Sequence, residues 1–281
     1  MTITPSIKRE YIEKLAKNGK RVDGRKFNEF REIEIETNII SKAEGSARVK
    51  IGKTQIMTGI KMDIGEPYPD SPNSGVMTTA AELIPMASPD FEAGPPREDA
   101  IELARVVDRG IRESNIIDME KLCIVEEEKV WIAFIDIHIL DYDGNLFDAA
   151  SLAALAALMT TKIPITRVKP ILEKLQEKYP GIKDYLKKHK DDYPLPLSEP
   201  PISCTSVKFN DTIVMDSSLD EEDIAEARLT VSTDEKGDIR AMQKGLNGSF
   251  TVEEIQKIIK ESIDNGKKIR NQLYKSVGKN G

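Results

Sequence analysis

Cysteine, histidine and aromatic side chains are all scarce in this 281-residue sequence, and each shortage closes off a class of chemistry. The two cysteines, Cys123 and Cys204, stand far apart without neighbouring ligand types, so neither a disulfide framework nor a zinc site is expected. Of the two histidines, His138 alternates with Asp136 on a strand-like run, too few ligands for a metal, and is expected to be a satisfied structural residue. No metal and no cofactor are expected. Long apolar runs are missing too. None approaches the roughly 18 residues of a membrane helix, and the start of the chain, with Lys8, Arg9, Glu10 and Glu13, lacks the apolar core of a signal peptide. The expected location is the cytoplasm, with no membrane partner. Net positive charge is absent as well. A formal charge of −7 argues against coating nucleic acid with the whole surface, which needs a basic field to neutralise phosphates. Any such contact must be local.

What is present is a globular composition, 39% apolar and 32% charged, in a chain long enough for one large or two modest cores. Residues 6–18 read as a short helix capped by Ser6, with Ile7, Tyr11, Ile12 and Leu15 on one stripe. From Arg31 the pattern alternates through Ile33, Ile35, Ala47, Val49 and Ile51, punctuated by Gly52-Lys53, as in a sheet edge or hairpin. The Pro-, Asp- and Ser-rich stretch after Gly65 reads as an exposed loop. A helix follows from about Asp99 to Ser114. Residues 130–140 read as a strand covered on both faces, and Ala149–Met159 as a helix apolar all round and therefore buried. Residues 168–193 look like a helical insertion beginning near Pro170, whose Lys187–Lys190 run is expected to be solvated. Pro194–Pro201 reads as an extended connection. Strand-like segments then lead to a helix opened by a capping-box pattern at Thr251 and Glu254, with Ile255, Ile258, Ile259, Ile263, Ile269 and Leu273 on its buried stripe.

The expected fold is α+β, with two lobes, each a sheet packed with helices. Residues 1–30 form an N-terminal helix and arm, 31–166 the first lobe, 167–200 the insertion and Pro-rich connection, and 201–281 the second lobe with its C-terminal helix.

One helix face carries chemistry of its own. Leu103, Ala104, Val107, Gly110 and Ile111 point inward, while Arg105, Arg109 and Arg112 fall within roughly a 60° arc on the opposite side. By themselves these arginines fit a solvated face with Glu102 and Asp108 as local partners.

Three segments, Arg21-Val-Asp-Gly-Arg25, Asp143-Gly144 before the buried helix, and Leu219-Asp-Glu-Glu-Asp223, resemble landmarks of the RNase PH family in order and spacing. Gly94-Pro-Pro followed by Ile101-Glu-Leu-Ala-Arg-Val-Val-Asp-Arg109 is similar to the non-catalytic RNase PH-like ring subunit of the archaeal exosome in particular. Active members of the family remove 3′-terminal nucleotides by phosphate attack, which requires cations and amide donors around two anions. Their phosphate loop carries a hydroxyl and an arginine where this chain has Leu146 and Phe147. Their second lobe carries paired aspartates, of which only Asp223 is matched; the partner position is Arg228, which neither binds a cation nor acts as an acid. Their adjacent arginines before the helix are represented by Arg97 alone.

The resemblance therefore implies no catalytic residues in this chain. It implies RNA binding by Arg105 and Arg109, to which Arg112 and Arg97 are added, beside the active site of a catalytic RNase PH-like partner. The two subunits would form a heterodimer, and a trimer of heterodimers would close a hexameric ring that carries cap proteins and degrades single-stranded RNA. The alternative is that the chain is itself a phosphate-dependent 3′-5′ exoribonuclease using Asp223.

Overall fold

The computed structural model of the chain describes residues 3–278, with side chains from Lys8 onward. Helix α1 (Ile3–Lys17) begins before the expected cap, so Ser6 lies within it. Ile12 and Ala16, one turn apart, are its buried contacts; Tyr11 is exposed, and the side chain of Ile7 lies outside the described residues. Both contacts pack on Val207, Phe209, Val214 and Ile224 of the second lobe.

The first lobe is built on β1 (Ile33–Thr37), β2 (Gly45–Ile51), β3 (Thr54–Gly65), β4 (Val76–Leu83), β5 (Cys123–Val125) and β6 (Lys129–Asp141), with α2 (Glu98–Glu113) between β4 and β5. Their order is β1-β2-β3-β6-β4, with β5 on β6, and β4 runs parallel to β6 while the other pairs are antiparallel. The alternation from Arg31 resolves into β1 paired with β2, and Gly52-Lys53 turns β2 into β3. Strand β6 corrects one expectation. Apart from Val130 at its start, only its odd-numbered side chains, from Trp131 through Ile139, are fully buried, while Asp136 and His138 on the other face meet water or neighbours. Its apolar run had suggested cover on both sides, but the helices cover one.

Helix α3 (Leu146–Thr160) follows, three residues earlier than its apolar run suggested, because Asn145 in a left-handed conformation (φ 56°) caps it. Its uniform apolarity has a direct cause. It lies between the first sheet, where it covers β2 and β3, and the second, where it meets β9 (Ile202–Phe209). Each fully buried leucine there contributes about 1.5–3 kcal/mol.

Before β9 come β7 (Lys162–Ile163), α4 (Ile165–Leu175), α5 (Gly181–Lys188) and β8 (Tyr193–Pro194), which pairs with β7. The helical segment starts at Ile165, not near Pro170, which sits inside α4. Burial of Ile165, Val168 and Leu172 outweighs the hydrogen bond that a proline removes. Ile182 and Tyr185 of α5 are buried as well, the latter accepting a hydrogen bond from Trp131 at 2.7 Å, so these helices complete the first-lobe core while Lys187–Lys190 stay largely outside.

The second lobe adds β10 (Thr212–Met215), the short α6 (Leu219–Glu222), β11 (Ala227–Thr233), β12 (Ile239–Gly245) and α7 (Val252–Ser276). Its antiparallel sheet has the order β10-β9-β11-β12, and α7 opens with the expected capping box at Thr251 and Glu254. Ile202, Cys204, Met215, Ile269 and Leu273 join the first-lobe core, so one apolar interior runs through both lobes.

Candidate functional site

Two features bear on the site, one where the lobes meet and one on the first lobe. The first is the loop between β6 and α3. Gly144 has φ +88°, and a Cβ there would run into the carbonyl oxygen of Ser217 from the second lobe, so only glycine fits. Thr54 donates from its hydroxyl to the Gly144 carbonyl at 2.6 Å and accepts from the Asp143 amide at 3.0 Å. The backbone amide of Asn145 faces the second lobe. Its acceptor is a carboxylate of the chain itself, Glu222 Oε1, at 2.7 Å.

Glu222 also accepts from the Tyr142 hydroxyl at 2.7 Å and from the Ser217 hydroxyl at 3.0 Å. Burial raises its pKa and outweighs these donors. The side chains beside the loop are equally unsuited to an external anion. Phe147 is nearly buried, with the Arg228 guanidinium 3.9 Å from its ring centroid, and Arg228 pairs with Glu102. The cavity of about 270 Å³ in front of the loop is lined by Asp90, Asp99, Glu102, Glu222 and Asp223 against that single, already paired guanidinium. Five carboxylates repel phosphate. Partial burial, then the charge of Asp220, raises Asp223 above its ordinary value. Asp148, at the start of α3, points into the interior, where it accepts from Asn145 and Thr205.

The Arg21–Arg25 landmark sits behind this loop. Arg21 grips both carboxylate oxygens of Glu221, at 2.8 and 2.5 Å, while Arg25 and Arg31 converge on Asp216 at 2.8 and 2.7 Å. Burial alone would raise Asp216, but the bond and charge of Arg31 hold it below the usual carboxylate range. These residues fasten the arm and the lobes together.

The second feature is a groove of about 480 Å³ between β4 and α2. Arg105, Arg109 and Arg112 all line it, as the helical spacing implied. They differ in their partners. Arg112 is neutralised by Asp108, with two hydrogen bonds of 2.9 Å, and Arg109 donates to the uncharged Gln243 of β12 at 2.6 Å. Arg105 makes no hydrogen bond or ion pair among the described residues, so Arg105 and Arg109 are the uncompensated charges. Arg97 is set apart. It pairs with Glu92 on the rim of an adjoining cavity that shares only Ala81, Pro96 and Ala100 with the groove. His138 faces Glu82 on β4, 3.3 Å from its carboxylate, and no cluster of metal-ligating side chains occurs among the described residues. No helix among them is long and apolar enough to cross a membrane.

Residues 29–164 match the first domain, and residues 199–265 the second, of the 3′ exoribonuclease family named for RNase PH. The chain belongs to the RNase PH family. Among its relatives in the family, the exosome complex component Rrp42 of Methanocella arvoryzae is 51% identical over 271 residues, covering 96% of this chain and 97% of that protein. The protein of the same name from Thermococcus gammatolerans is 51% identical over 277 residues, 98% of this chain and 97% of that one. A chain in the structure of the Archaeoglobus fulgidus exosome with RNA bound to the active site superposes with a TM-score of 0.87 at 45% identity, covering 97% of this chain and all of that one. The two-lobe α+β expectation is thus the family's fold.

Sequence reasoning missed Glu222, although it lies inside the acidic stretch quoted as a landmark. Its partners Tyr142 and Asn145 are 80 and 77 positions away, and no local pattern links them. Gln243 and Thr54 were missed for the same reason.

Proposed function

We propose that this chain is a non-catalytic subunit of an exosome core ring, a 3′-5′ phosphorolytic RNA-degrading complex. It pairs with a catalytic RNase PH-like subunit in a heterodimer, three of which close the hexameric ring; cap proteins sit on that ring, and the assembly works in the cytoplasm on single-stranded RNA. Arg105 and Arg109 hold RNA phosphates by charge-assisted hydrogen bonds, Arg112 orders the groove wall, and Arg97, paired with Glu92, stands at its approach and exchanges that partner for a phosphate. The chain contributes by positioning RNA and the partner's active site in advance, which lowers the barrier without its own acid or nucleophile.

The observation that carries this reading is the seat of Glu222. The loop amide that an attacking phosphate would need is held by an internal carboxylate, with Leu146, Phe147 and four further acids around it. The names of the relatives, all exosome components, give it context.

Phosphate-dependent release of nucleoside diphosphates from single-stranded RNA tests it, with the chain alone and then mixed with its RNase PH-like partner. Release only in the mixture is the expected result. Robust release by the chain alone, undiminished on further purification, would overturn it in favour of an enzyme using Asp223.

A further inference from the structure

The three groove arginines share one helix, and what separates them is the partner each one has. Arg112 donates twice to the carboxylate of Asp108, at 2.9 Å each, a pairing that neutralises it. Arg109 instead donates from Nη1 to Gln243 Oε1 at 2.6 Å, and it makes no other hydrogen bond among the described residues. This acceptor comes from the other lobe: Gln243 stands on the edge strand β12, opposite Thr230 of β11. The Gln243 amide is itself oriented, because its Nε2 donates back to the Lys244 carbonyl at 3.4 Å and leaves Oε1 turned to Arg109.

We infer that Gln243 is a positioning residue for Arg109: from the second lobe it fixes the direction of that guanidinium at the groove while leaving its charge and its other donors free. This rests on the RNA-binding role proposed above. A guanidinium carries several N–H donors in a planar fork, and one bond to an amide oxygen leaves the rest for the oxygens of a phosphate. Arginine is also a flexible side chain, and holding it in one rotamer before the phosphate arrives removes an ordering cost from binding. An uncharged acceptor does this without competing for the site. A carboxylate in the same place would do to Arg109 what Asp108 does to Arg112, and a phosphate would first have to displace it. The bond also ties the direction of the cation to the way the lobes sit, since α2 belongs to the first lobe and β12 to the second.

Binding of a single-stranded RNA oligomer to the assembled ring, titrated at several salt concentrations, tests this with variants at both positions. Gln243→Ala keeps every charge and is expected to weaken binding about fivefold with the salt slope unchanged, the effect of letting one long side chain loose. Gln243→Glu is nearly isosteric but pairs with Arg109. It is expected to weaken binding and to lower the salt slope by about 0.7, as if one phosphate contact had gone, and it serves if the alanine variant does not assemble. In an Arg109→Ala background, Gln243→Ala is expected to have no further effect. A residue that merely packed the lobes together would weaken binding equally with and without Arg109. That result, no loss in Gln243→Ala, or a wild-type slope in Gln243→Glu would each overturn the positioning role while leaving Arg109 its own. If Arg109→Ala alone leaves affinity and slope at their wild-type values, the RNA-binding role of Arg109 falls first, and positioning by Gln243 with it.

Discussion

Arg21 is 5% exposed, and its guanidinium meets both oxygens of Glu221, which is buried too. Removing either member strands a charge away from water. Arg21→Ala is therefore expected to cost about 3–5 kcal/mol in urea unfolding, and the double change Arg21→Met with Glu221→Leu much less; a single-variant loss below about 1 kcal/mol would mean that water reaches the pair. Asp148 makes a different case. Burial pushes its pKa from 3.8 up to about 7, despite hydrogen bonds from Asn145 and from the amide and hydroxyl of Thr205. Because the folded pKa lies above the unfolded one, the native state holds this proton more tightly. Asp148 therefore favours folding most below about pH 4, and that advantage fades as pH rises towards about 7, by at most ~1.4 kcal/mol per pH unit. Asp148→Asn should remove this slope, so that its unfolding free energy relative to the wild type rises with pH across that window. Parallel pH profiles would show that Asp148 does not titrate there.

The loop joining β6 to α3 depends on two residues with separate duties. Gly144 supplies the left-handed turn and lets the Ser217–Leu219 backbone approach; Glu222 supplies the acceptor that closes it. Gly144→Ala is expected to destabilise by more than about 1–3 kcal/mol, since backbone strain and a clash between lobes add. Glu222→Ala leaves the Asn145 amide and two hydroxyls without their acceptor, at a cost of about 1–3 kcal/mol. A phosphate-specific rise in melting temperature should follow in that variant alone, measured against chloride at equal ionic strength, because an external anion then has an amide to bind. If wild-type protein gains as much from phosphate, the seat is open and Glu222 does not fill it. The same logic of occupancy explains α3. Its alanines and leucines pack against two sheets at once, and no face is left for water.

Across the whole molecule, α2 bridges the lobes: it packs on β4 and α3 of the first and, through Arg109 and Gln243, on β12 of the second. The arginine groove is thus mounted on rigid elements in a chain whose net charge is −7, a field in which any attraction for a polyanion has to be local. The acidic cavity in front of the closed loop lies apart from this groove, sharing no lining residue with it. Asp223→Ala is accordingly expected to leave phosphorolysis by the mixed ring within about twofold of the wild type. A loss of a hundredfold or more, the scale of a missing general acid, would make Asp223 a catalyst after all.

The sequence by itself determined most of the elements and the family. Periodicity placed α2, α7 and the alternating strands, because those patterns depend on neighbours three, four or two positions away. The landmark segments carried the family, and Leu146, Phe147 and Arg228 mark where this chain departs from the pattern of the active members it resembles. Strand β4 and the cover on only one face of β6 were not legible, since a mixed apolar run reads alike in either setting. The tertiary structure alone decided what each charge does. Three arginines on one helix face look equivalent, yet Asp108 silences Arg112, Gln243 leaves Arg109 charged, and Arg105 stands free among the described residues. Glu222 became an internal acceptor, and Arg21 a buried brace, only because folding brings positions 77 and 200 apart in sequence within hydrogen-bond reach. Such pairings leave no trace in local pattern, because a hydrogen bond depends on distance in space and not on order along the chain.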